Sequence, residues 1–239
     1  MRFLKWLVLS GLVILILGAV VGRVFQIEIG RLVYKRAVEA NAGRDVLASL
    51  PDGLHVILIG TGAPLADEAR AGPSTAIIAG DKLFIVDSGG GSVRNFPLMG
   101  VPVGKIEAVF LTHFHSDHID GLGELLLQRW VGDANDAPTP VYGPVGTEDI
   151  VEGLRRVYGR DAKHRTAHHG ESVAPPSGFG GVAHEFEGEL PLIVYQADDL
   201  TITVFKVDHE PVDEAVGYRF DYKGRSVVLT GDTRKSETL

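Results

Sequence analysis

Residues 112–121 read THFHSDHIDG, which sets His113, His115, Asp117 and His118 within six consecutive positions. The whole chain has nine histidines, so three in one short turn is more than a polar surface loop would collect by chance. Imidazole and carboxylate are the groups that Zn²⁺ accepts when sulfur is unavailable, and the chain has no cysteine. The segment follows an apolar run, Ala108 to Leu111, and precedes a helical pattern. His113 and His115 are two apart in nearly extended chain and project to one side, while Asp117 and His118 enter the bend and reach a neighbouring point. Two metal ions could share such a turn, and a hydrolytic site also needs an open position for water. Further ligands must come from elsewhere. His209 follows the alternating run from Leu200 to Val207, and Asp232 follows Val227 to Leu229 just after a glycine. Taken singly, each has a plainer reading, a hydrogen-bonded surface histidine and a turn aspartate. Asp87, beside three glycines, either steadies a ligand imidazole or caps the glycine-rich turn.

The elements that must position these residues are short. LHVILIG, TAIIAG, KLFIVD and EAVFLT are β-branched runs bounded by glycine, proline or aspartate, predicting strands that end near Gly60, Gly80, Asp87 and Thr112. A helix is predicted over Ile119–Trp130, burying Leu122, Leu125, Leu126 and Trp130, and another over Thr147–Tyr158 with Ile150, Leu154 and Val157 inward. PVYG lies between them as a strand. Residues 159–191 are rich in Gly, Pro and His with little periodicity, and are expected to form a long excursion. Its His164, His168, His169 and His184 would be a lid or a surface loop. Three more strands follow in LTITVFKVDH, AVGYRFDY and RSVVLTGD. Strands interleaved with and followed by helices predict an α/β layered fold.

With 239 residues, 45% of them hydrophobic, the chain can bury a stable core. Its net charge of −8 argues against a general attraction for phosphate polymers, hence against a nucleic-acid partner and for a small substrate. Between Lys5 and Arg23 run 17 residues without a charge. They predict a membrane anchor over residues 1–24, with a cleaved signal peptide or a buried core helix as alternatives. An amphipathic connecting segment over 25–52 and a catalytic domain over 53–239 would follow. The short basic N-terminus places that domain outside the cytoplasm in a single-pass arrangement, although Arg23, Arg31, Lys35 and Arg36 after the run argue the reverse.

Taken together, HxHxDH after a strand, a later His209 and a Gly-Asp at 231–232 resemble the metallo-β-lactamase fold hydrolases. LIGTGAP, IVDSGGGS, VYGPVGT, GYRF and LTGDTRKS are similar to the branch holding ribonuclease Z and the arylsulfatase-like enzymes, from Leu54 to the last residue. The resemblance implies an αββα sandwich preceded here by the N-terminal hydrophobic helix. It also implies two Zn²⁺: one held by His113, His115 and His209, the other by Asp117 and His118, with Asp232 bridging. Two such cations would lower the pKa of a shared water, yielding hydroxide for attack on phosphorus or sulfur. Asp117 would orient that water or take its proton. The family closes its second site with a histidine downstream of the Gly-Asp segment, whereas this chain stops seven residues after Asp232. The expectation is therefore a C-terminally incomplete sequence lacking the last αβ portion. Ribonuclease Z also inserts a tRNA-gripping arm between its GYR and Gly-Asp segments, and only 11 residues lie between Arg219 and Gly231. A zinc-dependent hydrolase of a small anionic sulfate or phosphate ester is thus expected ahead of a tRNA 3′-processing endoribonuclease or an inactive membrane-tethered metal-binding protein. Arg155, Arg156, Arg160, Lys163 and Arg165 would steer an anionic substrate or simply solvate a helix end.

Overall fold

Alternating apolar residues build two sheets in the computed structural model, which describes residues 45–65 and 67–235 continuously and scattered positions between 6 and 36. The first sheet has six strands, β1 (Leu54–Gly60), β2 (Ser74–Ala79), β3 (Lys82–Val86), β4 (Ile106–Phe110), β5 (Thr139–Gly143) and β6 (Gly181–Glu185), in spatial order β1-β2-β3-β4-β5-β6. β1 to β3 pair antiparallel, with a tight turn between β2 and β3, and β3 to β6 pair parallel. Parallel pairing needs crossovers. These carry α1 (Asn95–Met99), then α2 (Ser116–Ile119) with α3 (Leu122–Gly132), then α4 (Thr147–His169). The second sheet is an antiparallel meander of β7 (Leu192–Ala197), β8 (Leu200–Lys206), β9 (Val216–Tyr222) and β10 (Arg225–Leu229).

The period-two alternation in β2 to β4 sends side chains to two different cores. Ala76, Ile78, Leu83, Ile85 and Val109 face the helices, where Leu122, Leu125, Leu126 and Val151 cover them. Ile77, Phe84, Ala108 and Phe110 face the second sheet and meet Ile202, Val204, Tyr218 and Phe220. Edge-on contacts of Phe110 with Phe84, Tyr218 and Phe220, with centroids 5.2 to 6.0 Å apart, make this the aromatic centre of the sandwich. The described residues thus supply a helical layer and two sheets of the αββα arrangement.

Several expectations change. The predicted hydrophobic helix falls almost wholly outside the described residues, as does most of the segment 25–44. Among the described residues no helix is long and apolar enough to cross a membrane, which counts against the expected single-pass, extracytoplasmic placement. Val46, Leu47 and Leu50 pack on the helix-side core, so the chain joins the domain from Asp45 onward. The helix predicted to end at Tyr158 runs on to His169. Ion pairs Glu152–Arg156 and Asp161–Arg165 one turn apart support it on its wet side. Val157 is 72% exposed rather than inward, because the buried stripe passes through Val151 and Ala162. His164, His168 and His169 therefore lie on a helix, and His184 lies on β6 stacked against Tyr142. The rest of the excursion packs Ala174 and Phe179 around buried Trp130, whose indole N–H donates to the Pro175 carbonyl at 2.8 Å. Arg155, Arg156, Arg160 and Lys163 are exposed or half-exposed along α4.

Candidate metal centre

Three strand ends converge at one edge of the sandwich. β4 delivers the turn 112–118, β8 delivers His209, and β10 delivers Asp232. One ligand atom from each of His113, His115, His209 and Asp232 lies within 4.8 Å of the others. His113 Nε2 is 3.0 Å from His115 Nδ1, and His209 Nε2 is 3.3 Å from the same atom. Tetrahedral Zn²⁺ with bonds of about 2.0–2.1 Å sets its nitrogen ligands roughly 3.3 Å apart, so the cradle has the right size.

His118 and Asp117 form the adjoining half. His118 is buried, and its Nε2 stands 3.4 Å from Asp232 Oδ1 and 3.7 Å from Asp117 Oδ2. That nitrogen has no hydrogen-bond partner although it is fully enclosed. A buried polar atom without a partner is costly, and a ring nitrogen aimed at two carboxylates is satisfied by a proton or a cation. The residues present therefore fit a metal.

Asp87 sets the direction of both inner imidazoles. It sits in the left-handed region at φ 58°, a conformation that aspartate tolerates, at the end of β3. Its Oδ1 accepts the Thr112 N–H at 2.8 Å. Its Oδ2 accepts the Thr112 hydroxyl and His118 Nδ1–H, both at 2.8 Å. Thr112 Oγ1 in turn lies 3.0 Å from His113 Nδ1 and accepts its N–H. Both rings are thereby held with Nδ1 protonated and the Nε2 lone pair directed into the cluster.

Electrostatics divides the two rings. Burial, aided by repulsion from His118, lowers the His113 pKa to about 4. The ring is neutral near pH 7, as ligation requires. Burial also opposes charge on His118, but the hydrogen bond it donates to Asp87 and the carboxylates of Asp87, Asp232 and Asp117 outweigh it and raise its pKa. Below that raised pKa a proton on Nε2 stands between those carboxylates, and above it the nitrogen is free to ligate a cation.

The backbone of the turn is fastened from behind. Ser88 N–H donates to the His118 carbonyl and Gly121 N–H to the Ser88 carbonyl, each at 2.8 Å. A Cβ at Gly89 would stand 2.1 Å from the Asp117 carbonyl oxygen, so only glycine lets this loop approach. Gly231, at φ 58° just after β10, also makes a close approach, where a Cβ would meet Thr112 at 2.7 Å. Thr112 and Gly89 carry no ligand-type side chain, and spacing alone does not single them out; the run of glycines after Asp87 is the one available sign of the close approach.

The model of the Metallo-beta-lactamase superfamily matches residues 67–238. A ribonuclease Z of Mycobacterium bovis BCG is 40% identical over 188 residues, which cover 78% of this chain and 65% of that protein. A ribonuclease Z of Mycolicibacterium gilvum is 41% identical over 182 residues, covering 75% and 62%. The chain thus spans somewhat less than two thirds of the length of these curated relatives. Among solved structures, human tRNase Z, short form, superposes with a TM-score of 0.59 at 23% identity, covering 74% of this chain and 68% of that one. The metallo-beta-lactamase fold protein YhfI of Bacillus subtilis gives 0.57 at 25% identity, covering 78% and 66%. The relatives carry the names of ribonucleases, which corrects the expectation of a small anionic ester as partner in preference to nucleic acid. Net charge summed over the chain does not report the local field at one site, so it does not exclude such a partner. With its matched domain and the fold it shares with these structures, the chain belongs to the metallo-beta-lactamase superfamily.

Proposed function

We propose that the protein is a metal-dependent phosphodiester hydrolase acting on RNA, a tRNA 3′-processing endoribonuclease of the ribonuclease Z kind. The observation that carries this reading is the 40% identity to ribonuclease Z over 188 residues. His113 Nε2, His115 Nδ1 and His209 Nε2 would hold one Zn²⁺, and Asp117 with His118 Nε2 a second, with the Asp232 carboxylate between them. When bound, such ions supply Lewis-acid stabilisation of a scissile phosphate and lower the pKa of water.

The chain's own residues do the rest. Asp87 keeps the Nε2 lone pairs of His118 and, through Thr112, of His113 free of protons and aimed inward. Asp117 lies in the first turn of the short helix α2 beside His118, and its carboxylate would accept the proton released as water attacks phosphorus. Asp232, with its side chain 47% exposed, forms the solvent side of the cluster, where a polymeric substrate can approach.

The test is incubation of the full chain with a 3′-extended precursor tRNA, with zinc and with chelator. Endonucleolytic cleavage at the 3′ end that chelator abolishes and His113→Ala removes is expected. Intact precursor under conditions where the same preparation hydrolyses a bis-aryl phosphate would overturn the RNA substrate.

A further inference from the structure

Arg234 lies outside the donor cluster, yet it touches both loops that bring donors in from the second sheet. Its Nη2 donates to Asp208 Oδ1 at 3.0 Å and to Glu210 Oε2 at 2.7 Å, and its Nε reaches Asp208 Oδ1 at 3.3 Å. Its backbone N–H donates to the Asp208 carbonyl at 2.7 Å. Thr233 adds a contact in the other direction, accepting the Asp208 N–H on its hydroxyl at 3.3 Å. Asp208 and Glu210 flank His209, and Arg234 is two residues beyond Asp232.

We propose that Arg234 is a positioning residue that fastens the His209 loop to the Asp232 loop, setting the separation of two metal donors that come from different strands. The proposal rests on the metal-centre reading above. The His209 loop has little else to fix it on the side of the site. Its own closures are the bonds from Val212 N–H to the His209 carbonyl at 2.9 Å and from Val207 N–H to the Ala215 carbonyl at 3.3 Å, which shape the loop without tying it to β10. Without the guanidinium, two like charges would flank His209 with no cation between them. Only a planar fork spans both carboxylates at once, and a lysine offers a point charge to one or the other. These ion pairs are exposed, so their effect falls on local geometry and hardly on global stability.

The test compares the full chain with Arg234→Met and Arg234→Lys. In metal-free protein, hydrogen exchange at the Val212 amide is expected to quicken about tenfold in R234M and less in R234K, with melting temperatures close to that of the parent. Zinc affinity, read by competition with a chromophoric chelator, is expected to fall about 10- to 100-fold in R234M and to recover in part in R234K. Parent-like zinc affinity in R234M overturns the clamp and leaves the metal centre standing, as does a loss that merely follows global unfolding in both variants. A parent chain that takes up no zinc overturns the metal centre itself, and the positioning role with it.

Discussion

Asp87→Asn separates the shape of the site from its proton arrangement. The amide is isosteric with the carboxylate, and asparagine tolerates the left-handed backbone at φ 58°. Thr112 N–H is an obligatory donor at 2.8 Å, so the amide carbonyl must take the place of Oδ1. The NH₂ then falls where Oδ2 accepted His118 Nδ1–H and the Thr112 hydroxyl, both at 2.8 Å. Two donors cannot face each other, so the His118 proton moves to Nε2, pointing into the cluster. The Thr112 hydroxyl, now receiving an N–H, turns towards His113 Nδ1 at 3.0 Å and drives that ring the same way. The stability cost is the loss of one charge-assisted bond, about 1–2 kcal/mol. The metal cost is larger in kind, because a protonated Nε2 is no ligand, and zinc affinity should fall roughly 10- to 100-fold or more. Asp87→Ala instead strands three buried donors and should cost about 3 kcal/mol or more in folding. Denaturant melts, zinc competition and the ¹⁵N shifts of the two imidazoles read these quantities separately. Asp87→Asn protein that binds zinc like the parent, with unchanged tautomers, would refute the reasoning.

Gly89→Ala puts a methyl 2.1 Å from the Asp117 carbonyl and 2.5 Å from Gly72 C, so a destabilisation of roughly 1–3 kcal/mol with loss of cleavage is expected in melts and assays. Metal-free protein should be most stable near pH 6.5. Below that, His113 stays neutral down to about 4 while the unfolded chain takes up a proton, so up to about 3 kcal/mol is lost as pH falls. Above it, the contribution of charged His118 disappears as pH rises through its raised pKa; denaturant titrations from pH 4 to 9 check both limbs. Tyr218→Phe removes a buried hydroxyl that donates to the Leu111 carbonyl at 2.6 Å and should cost about 1–2 kcal/mol, or several degrees in Tm.

What is legible in the sequence follows from how local each cause is. Strands β1 to β4 and β8 to β10 declare themselves through β-branched runs cut by glycine and aspartate, and α3 through its buried stripe of Leu122, Leu125, Leu126 and Trp130. α4 is misjudged because its second half is stabilised on the solvent side by ion pairs, which leave no apolar period, and because Gly159 imitates a stop. β6 is hidden in a Gly/Pro/His-rich tract, where it is held by pairing with β5 from Thr139↔Gly181 to Gly143↔Glu185. At the site, donor types show in the one-dimensional pattern, whereas Thr112, Gly89, Tyr218 and Arg234 act through contacts 24 to 107 residues distant. A pattern of residue types holds no record of such contacts.

The two halves of the donor set hang from different sheets, so the metal centre depends on how those sheets register. His113 to His118 belong to the first sheet, and His209 and Asp232 to the second. Apolar packing across the sandwich supplies adhesion but little register, because a Phe or Ile surface tolerates sliding. Register comes from directional bonds at the end of β4, where Val216 N–H donates to the Thr112 carbonyl at 2.9 Å and Tyr218 to the Leu111 carbonyl. Both bonds fall on the two residues just before His113. The second sheet is therefore pinned where an error of position would otherwise reach the site undiminished. On this account, loosening the aromatic core at Phe84 should lower global stability while sparing zinc affinity per folded molecule, and Tyr218→Phe should lower both. Equal loss of affinity from the two substitutions would mean that packing, not hydrogen bonding, sets the register.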